Sequence, residues 1–177
     1  MSNEDAVNDV FAEIRHGLSA DIDVLVLSAT YMKMGILTTQ YTTQELHEAL
    51  NTNFIRNINI VRAFLSTVNL MDSESKTGKV ILDISTHSRY SRYPTQAIYS
   101  SSKLAFTHFI RHIGAEYAHT GLRIQSYHPG GILSDAVRKL GGGGDYPWDD
   151  VSLPAGLATW LASPAAAFLN GRFILSN

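Results

Sequence analysis

Apolar positions in the first part of the chain follow two different spacings, which predict a helix and then a strand. From Asp5 to about Arg15 the apolar residues lie three or four apart, as on one face of a helix that ends near Gly17. The stretch from Asp21 to Leu27 becomes continuously apolar towards its end. Such a run is typical of a strand that is covered on both faces, as in a parallel sheet between helices.

The same alternation continues through the middle of the chain. Thr42 and Glu45 have the spacing of a capping box and open a long helix that extends to about Val68. A polar connection over 71–78 then leads to the apolar strand Val80–Ile84. The later segments, in chain order, are a polar loop to Pro94, a helix from about Thr95 to Thr120 closed by Gly121, a strand Leu122–Tyr127, a glycine-rich segment from Gly131 to Asp150, a short helix capped by Ser152 that ends at Ala162, and a last strand Arg172–Leu175.

This order of elements predicts an α/β fold with a doubly wound parallel sheet and helices on both faces. We expect one domain over residues 1–177, because neither a repeat nor a change in composition divides the chain. Ligands of open parallel sheets bind beyond the carboxyl ends of the strands. Ser28, Thr86 and Pro129 follow such ends, and Asn53 lies midway along the first long helix. The polar residues of interest are therefore expected to converge there.

Composition narrows the class of protein further. The 177 residues are 45% hydrophobic and 17% charged, with a net charge of −2 and no long run of one sign, which excludes a disordered chain and a nucleic-acid or anionic-membrane surface. The chain has no cysteine, so disulfide and thiolate chemistry are excluded. No apolar run has the length of a membrane span, and the acidic start lacks the features of a secretory signal. We expect a cytoplasmic protein.

Tyr99 and Lys103 are the central candidates for catalytic residues in this sequence. Four residues apart on one helix, they project from the same face. A nearby ammonium favours the phenolate, so we expect Lys103 to lower the pKa of Tyr99 from its usual value near 10 towards a range useful for proton transfer. A Tyr-x-x-x-Lys spacing also arises by chance, and a surface pair of this kind contributes little.

The surroundings of this pair favour the functional interpretation. Thr86 lies thirteen residues before Tyr99, just after a predicted strand, and Pro129-Gly130 follows the next strand. A hydroxyl at a strand end, a Tyr/Lys helix and a strand that ends in Pro-Gly resemble the catalytic half of the short-chain dehydrogenase/reductase family, over about Asp21 to Asn177. The resemblance implies a Rossmann-like sheet and hydride transfer between NADP or NAD and a small carbonyl or alcohol substrate.

The resemblance also implies roles for individual residues. Tyr99 would be the general acid/base, Lys103 would hold the ribose of the cofactor, Thr86 would bond the substrate oxygen and Asn53 would support a proton-relay water. Threonine keeps the hydroxyl of the family's serine but adds a methyl group, so we expect a narrower site. The positions that would meet the cofactor also include Ala29, Pro129, Gly130, Ile132 and Ser134. No metal is expected. An oligomer is implied, formed through the two long helices, Gln44–Val68 and Thr95–Thr120.

Two departures from the family pattern stand beside these matches. The family's strand-end Asn-Asn-Ala-Gly is here Leu27-Ser28-Ala29-Thr30, and the glycine-rich phosphate turn that the family carries on its first βαβ unit is absent. Val24–Leu27 is then expected to be an edge strand, although its composition is that of a central strand. Either another chain covers that edge, or this is a shortened version of a longer product, which we favour. The alternative to an enzyme is a truncated or non-catalytic relative that no longer binds cofactor and acts, if at all, as an interaction module.

Other residues have competing interpretations. His108, His112 and Glu116 form a stripe that could suggest zinc, but the helical pitch turns it away from Tyr99, so we expect a solvated or subunit-facing surface. The run Gly141–Gly144 predicts a mobile substrate loop or a plain linker. Tyr146 and Trp148, which follow it, are candidates for a lid over the site.

Overall fold

A parallel sheet forms the centre of the computed structural model, which describes residues 4–70 and 78–176. The helices are α1 (Glu4–Leu18), α2 (Thr43–Leu50), α3 (Arg56–Leu65), α4 (Ala97–Glu116), α5 (Asp135–Lys139) and α6 (Ser152–Ala162). The strands are β1 (Val24–Leu27), β2 (Val80–Ile84), β3 (Arg123–His128) and β4 (Phe173–Leu175). The predicted polar connection over 71–78 lies, apart from Gly78, outside the described residues.

The strands follow one another in chain order across the sheet, β1-β2-β3-β4, and every pair is parallel. In register, Val24 lies opposite Val80, Val80 opposite Arg123, and Ser126 opposite Phe173. The carboxyl ends of all strands therefore meet at one edge. The predicted Rossmann-like parallel sheet is confirmed, and its strand order runs in one direction from β1, as expected for part of a doubly wound sheet.

Helices cover both faces of the sheet, because side chains alternate along each strand. Ile81 and Ile124 point to one face, where α1, α3 and α4 pack through residues such as Phe64 and Phe106. The neighbouring positions on β2 and β3 point to the other face, where α6 packs through Leu161. Two separate apolar cores hold the sheet between them.

Strand β1 lies at the edge of the described sheet, as expected from the sequence. Val24 and Val26 are 38% and 46% exposed, whereas Leu27, which points into the core, is buried. The strand is also shorter than the predicted Asp21–Leu27. Asp21 is instead held outside the ladder, where its carboxylate bonds Arg15, Thr67 and Lys79.

The structure differs from the predicted helices at the end of α1, at the start of α6 and in an additional helix, α5. Helix α1 passes through Gly17 and ends at Leu18, since Arg15 ties this last turn to α3 by donating to the Ala63 carbonyl at 2.9 Å. Ser152 does not cap α6. It is the first helical residue, and its amide donates to the Asp150 carboxylate at 2.8 Å. Helix α5 was not predicted, because glycines on both sides of it suggested a loop throughout.

The first long helix is interrupted at a position that matters for the site. Its capping box is confirmed: the Glu45 amide donates to the Thr42 hydroxyl at 3.2 Å, and the Thr42 amide donates back to Glu45 at 2.8 Å. Between α2 and α3, however, residues Asn51–Ile55 form a π-helical turn. Such a turn accommodates one extra residue and is frequent at functional sites. Here it carries the buried Asn53.

Candidate active site

Thr86, Tyr99 and Lys103 meet at the carboxyl end of β2. Thr86 follows this strand directly and caps a short 3₁₀ turn, where its hydroxyl accepts from the Ser88 amide at 3.2 Å. Tyr99 lies in the first turn of α4, and Lys103 lies one turn later on the same face. The Lys103 ammonium donates to the Ile84 carbonyl, at the last residue of β2, at 2.6 Å. The predicted convergence of the three groups is therefore present.

The Tyr99 phenol is half-buried, and burial raises its pKa above the ordinary value. A hydrogen bond with the Thr86 side chain acts in the opposite direction and lowers the pKa, while the negative charge of Asp83 raises it further. The expectation that Lys103 makes this phenol acidic is wrong for the structure as it stands. The reason is that the ammonium is directed at Ile84 and Asp83 rather than at the phenol.

Lys103 is itself buried beside a buried carboxylate. The ammonium lies 3.8 Å from Asp83, and the two side chains are 2% and 0% exposed. The second carboxylate oxygen accepts from the Thr107 hydroxyl at 2.7 Å, and Thr107 also bonds Ser85 at 2.8 Å. Burial lowers the pKa of Lys103, and the Asp83 charge raises it in part. Asp83 is thus the counter-charge of the lysine.

Asn53 joins three segments through its side-chain amide. Its oxygen accepts from the Tyr31 amide at 2.6 Å and from the Thr30 hydroxyl at 3.1 Å. Its nitrogen donates to the Tyr31 carbonyl at 2.9 Å and to the Ser102 hydroxyl at 2.8 Å. An amide offers two donors and two acceptor positions. All four are used by the protein, so Asn53 fastens the loop after β1 to α4.

The segment after β3 is folded tightly against the loop that follows it. Gly130 has φ +90°, and a Cβ there would lie 2.4 Å from the Asp149 carboxylate. That carboxylate accepts from the Gly131 amide at 2.8 Å. The Tyr146 ring lies so close to Gly131 that a Cβ would approach it to 2.9 Å. The loop therefore rests on the Pro-Gly segment, with Tyr146 and Trp148 in ring contact 4.6 Å apart.

The remaining residues expected to contact the cofactor differ in burial and in their neighbours. Pro129 and Ile132 are half-buried next to Gly130. Ser134 is exposed and its hydroxyl caps α5, where it accepts from the Val137 amide at 3.3 Å. Ala29 is exposed just after β1 and lines a groove together with Val7, Val10 and Phe11 of α1.

Asp83, Ser102 and Thr107 are site residues that the sequence analysis missed. The one signal for Asp83 was a carboxylate in an otherwise apolar strand, which is expensive to bury unless it is paired. Ser102 and Thr107 looked like ordinary positions on a long helix. Each is buried and bonds a residue from another element, Asn53 and Asp83 respectively.

The histidine stripe lies on the exposed side of α4. His108 and His112 are exposed, with their rings 5.0 Å apart, on the side of the helix away from the buried Lys103. Within the described ranges, no group of three or more His, Cys, Asp or Glu side chains could hold a metal ion. In the same part of the chain, no helix combines the length and the apolar character that a bilayer crossing requires.

Comparison with known proteins identifies the family. Residues 1–143 match the family model described as short chain dehydrogenase. The chain therefore belongs to the short-chain dehydrogenase family, as its sequence motifs indicated.

Individual relatives agree with this assignment. The chain is 34% identical over 156 residues to the short chain dehydrogenase/reductase AacuD of Aspergillus aculeatus, covering 88% of this chain and 53% of that protein. It is 35% identical over 169 residues to the short chain dehydrogenase/reductase nsrO of Aspergillus novofumigatus, covering 93% and 57%. The chain thus spans about half the length of the curated relatives it matches.

A solved structure shares the fold. A gluconate 5-dehydrogenase from Burkholderia cenocepacia, solved in complex with NADP and tartrate, superposes with a TM-score of 0.85. The match covers 98% of this chain and 70% of that one, at 20% sequence identity. At this identity the likeness concerns the fold alone.

Proposed function

We propose that the chain acts in an oxidoreductase that transfers hydride between NADP or NAD and a small carbonyl or alcohol substrate. The observation that carries this proposal is the placement of Thr86 directly after β2, beside Tyr99 and Lys103 in the first turns of α4, with Lys103 bonded to the Ile84 carbonyl at the same strand end. Two neighbouring hydroxyl groups can bind one carbonyl oxygen together, and one of them can transfer a proton to it. A bound nicotinamide ring would supply or accept the hydride.

Tyr99 is the proposed general acid/base, and the protonation state of its phenol favours reduction of the substrate over oxidation. Because burial raises its pKa, the phenol is protonated at neutral pH. It can then donate a proton to a carbonyl oxygen as this oxygen becomes an alkoxide. Thr86 holds the same oxygen through its hydroxyl. The site is thereby prepared for reduction, and oxidation requires that Tyr99 first lose its proton.

Lys103 is suited to hold the ribose hydroxyls of the cofactor. An ammonium has three donors. The Ile84 carbonyl takes one, and a second faces Asp83 at 3.8 Å, so a further N–H remains for a ligand. The backbone of Pro129, Gly130 and Ile132 would border the nicotinamide, with Ser134 beyond it. Ala29 would lie against the adenosine side. Either NADP or NAD satisfies this arrangement.

We propose that Asn53 supports the proton relay indirectly, by holding the neighbouring segments in place. Its amide is fully bonded within the protein, so a relay water would meet the main chain of the π turn or Ser102 rather than the amide. In this role Asn53 keeps α4, and with it Tyr99, at a fixed distance from the loop after β1.

The test compares Tyr99→Phe with Tyr93→Phe, which removes the same hydroxyl from an exposed loop tyrosine. The purified chain is mixed with NADPH or NADH and a panel of ketones, and cofactor absorbance is followed. We expect Tyr99→Phe to lose roughly 10²- to 10⁴-fold in rate and Tyr93→Phe to keep the wild-type rate. Equal rates for the wild type and Tyr99→Phe would exclude the mechanism. Absence of saturable NADPH or NADH binding, followed by fluorescence, would favour the non-catalytic alternative.

The oligomer implied by the family is also a proposal. The helical stretches Gln44–Val68 and Thr95–Thr120 carry exposed apolar side chains, among them Leu46, Leu50, Ile55, Leu104 and Phe109. A homo-oligomer would bury them. Light scattering of the wild type and Ile55→Glu tests this: we expect a smaller species for the variant, and identical masses would contradict the proposal. The cytoplasmic location stays a prediction from the sequence.

A further inference from the structure

A second cavity lies apart from the Tyr99 site, between the later turns of α4 and the start of β4. Its volume is about 220 Å³, several times the share of one water molecule in the liquid. Its lining includes Arg89 in the turn after β2, Thr107 and Arg111 on α4, and Arg172 and Phe173 at the start of β4. Thr86, Tyr99 and Lys103 do not line it. The cavity therefore does not include the three proposed reacting residues, although Thr107, which bonds Asp83, lines it.

Arg89 is the buried member of this group. The residue is 7% exposed, and its guanidinium stacks on the Phe173 ring with 3.6 Å between the guanidinium carbon and the ring centroid. One terminal nitrogen donates to the Tyr90 phenol at 2.7 Å. Its Nε has no hydrogen-bond partner among the described residues, and within them no carboxylate forms an ion pair with it. A buried guanidinium normally requires such a partner.

Arg111 and Arg172 add charge of the same sign at the mouth of the cavity. Both residues are exposed, and the described part of the chain gives neither one an ion pair. Burial lowers the pKa of Arg89, and the positive charge of Arg111 lowers it further. No acidic residue is among those that line the cavity. Asp83 acts on Arg89 from outside it, but this carboxylate is already opposite Lys103.

We propose that this cavity binds a small anion bearing a phosphate or carboxylate group, with Arg89 at its floor and Arg111 and Arg172 at its mouth. Arginine presents a planar fork of donors that matches both kinds of oxyanion. An anion would supply the missing partner of the Arg89 Nε and offset the repulsion between three guanidinium groups. The cavity is large enough for inorganic phosphate or a short dicarboxylate. The proposal does not rest on the proposed oxidoreductase function, although Thr107 and Asp83 adjoin both regions.

The experiment titrates the full chain with inorganic phosphate and with citrate, at ionic strength matched by potassium chloride, and follows binding by calorimetry and thermal unfolding. The variants are Arg111→Gln and Arg172→Gln, both at exposed positions. The matched control is Arg62→Gln, which removes the same charge from an exposed arginine on α3 that pairs with Glu4. We expect saturable binding by the wild type with a rise in the unfolding temperature.

The variants decide whether the anion binds in this cavity. We expect Arg111→Gln and Arg172→Gln each to weaken binding by roughly tenfold or more, with Arg62→Gln unchanged. No saturable binding, or binding that all three variants lower equally, would overturn the proposal. A change in oligomeric mass in the two cavity variants without any phosphate or citrate binding would also overturn it, and would assign the cavity to contact with another chain.

Discussion

The Lys103 ammonium lies 3.8 Å from the Asp83 carboxylate, and both side chains are buried in the space between β2 and α4. The ammonium also donates to the Ile84 carbonyl, so its position is fixed by the strand rather than by Tyr99. Two buried opposite charges have to be considered together, because removal of either leaves the other without compensation. The charge state around Tyr99 therefore depends on a residue that is not itself expected to touch the substrate.

We expect Asp83→Asn to move the pH profile of carbonyl reduction to lower pH. Reduction needs the protonated phenol, so the rate is constant below the pKa of Tyr99 and falls as the pH rises through it. The Asp83 charge raises this pKa, and its removal lowers it. The measurement is the reduction rate as a function of pH for both proteins.

Thr107→Val is the matched control for this change. It removes the hydrogen bond to the Asp83 carboxylate but keeps the negative charge. We expect its pH profile to stay nearer to that of the wild type. A profile of Asp83→Asn that coincides with the wild type would show that this carboxylate does not act on the phenol.

The role of the Thr86 hydroxyl in the reaction can be tested with two variants, one that keeps the hydroxyl and one that removes it. Thr86→Ser keeps the hydroxyl that accepts from the Ser88 amide and faces Tyr99, so we expect activity within a few-fold of the wild type. Thr86→Ala removes the hydroxyl, and we expect a loss of roughly 10²-fold, as for other donors to a developing oxyanion. The rates with one ketone are compared under identical conditions. Equal activity of the alanine and serine variants would exclude Thr86 from the chemistry.

Asn53→Ala should destabilise the protein. It leaves the Tyr31 amide and the Ser102 hydroxyl without their buried partner, and we expect the free energy of unfolding to fall by about 2–4 kcal/mol. Ser102→Ala removes only one of these bonds and should cost about 1 kcal/mol. Urea unfolding gives both values, provided that the slope of the transition is unchanged. Equal small losses for the two variants would contradict the proposed fastening role of Asn53.

The Glu45 carboxylate should stabilise the fold only above acidic pH. Lys33 and the amide of Thr42 hold its pKa at about 2, below the value near 4.3 of an unfolded chain. A depressed folded-state pKa contributes stability above the unfolded value, and this contribution is lost as the pH falls from about 4 towards 2. The difference in urea midpoint between wild type and Glu45→Gln should shrink over that range. A difference that stays constant between pH 4 and pH 2 would show that Lys33 and Thr42 do not act on this carboxylate.

The sequence predicted the elements whose signal is local. β2 begins and ends as expected, the Thr42 capping box is present, and β1 lies at the edge. Each follows from apolar spacing or from a short motif. The meeting of Thr86 with Tyr99 was also predictable, because parallel strands place their carboxyl ends together.

The details that depend on packing were not predictable. Apolar spacing does not distinguish a π turn from a regular turn, so the long helix was expected to be continuous through Asn53. Tyr99 was predicted to be the partner of Lys103 from helical geometry alone. This geometry shows that the two residues share one face of α4, but it does not show which residues of the neighbouring strand lie opposite that face. Asp83 lies on that strand, and only the packing of α4 on β2 brings its carboxylate to the lysine.

The π turn at Asn51–Ile55 makes this helix sensitive to length in a way that substitutions would not reveal. Each residue of an α-helix advances the chain by about 100°. The π turn accommodates one extra residue, so deletion of one residue, for instance Thr52, would allow regular winding from Thr43 to Leu65 with α2 and α3 keeping their faces, while the residues inside the turn would be displaced by up to about that angle. Such a shortened helix could be locally stronger, yet its asparagine would no longer face Tyr31. Alanine replacement at Thr52 keeps the residue count, so a mutational scan by substitution alone would overlook that dependence.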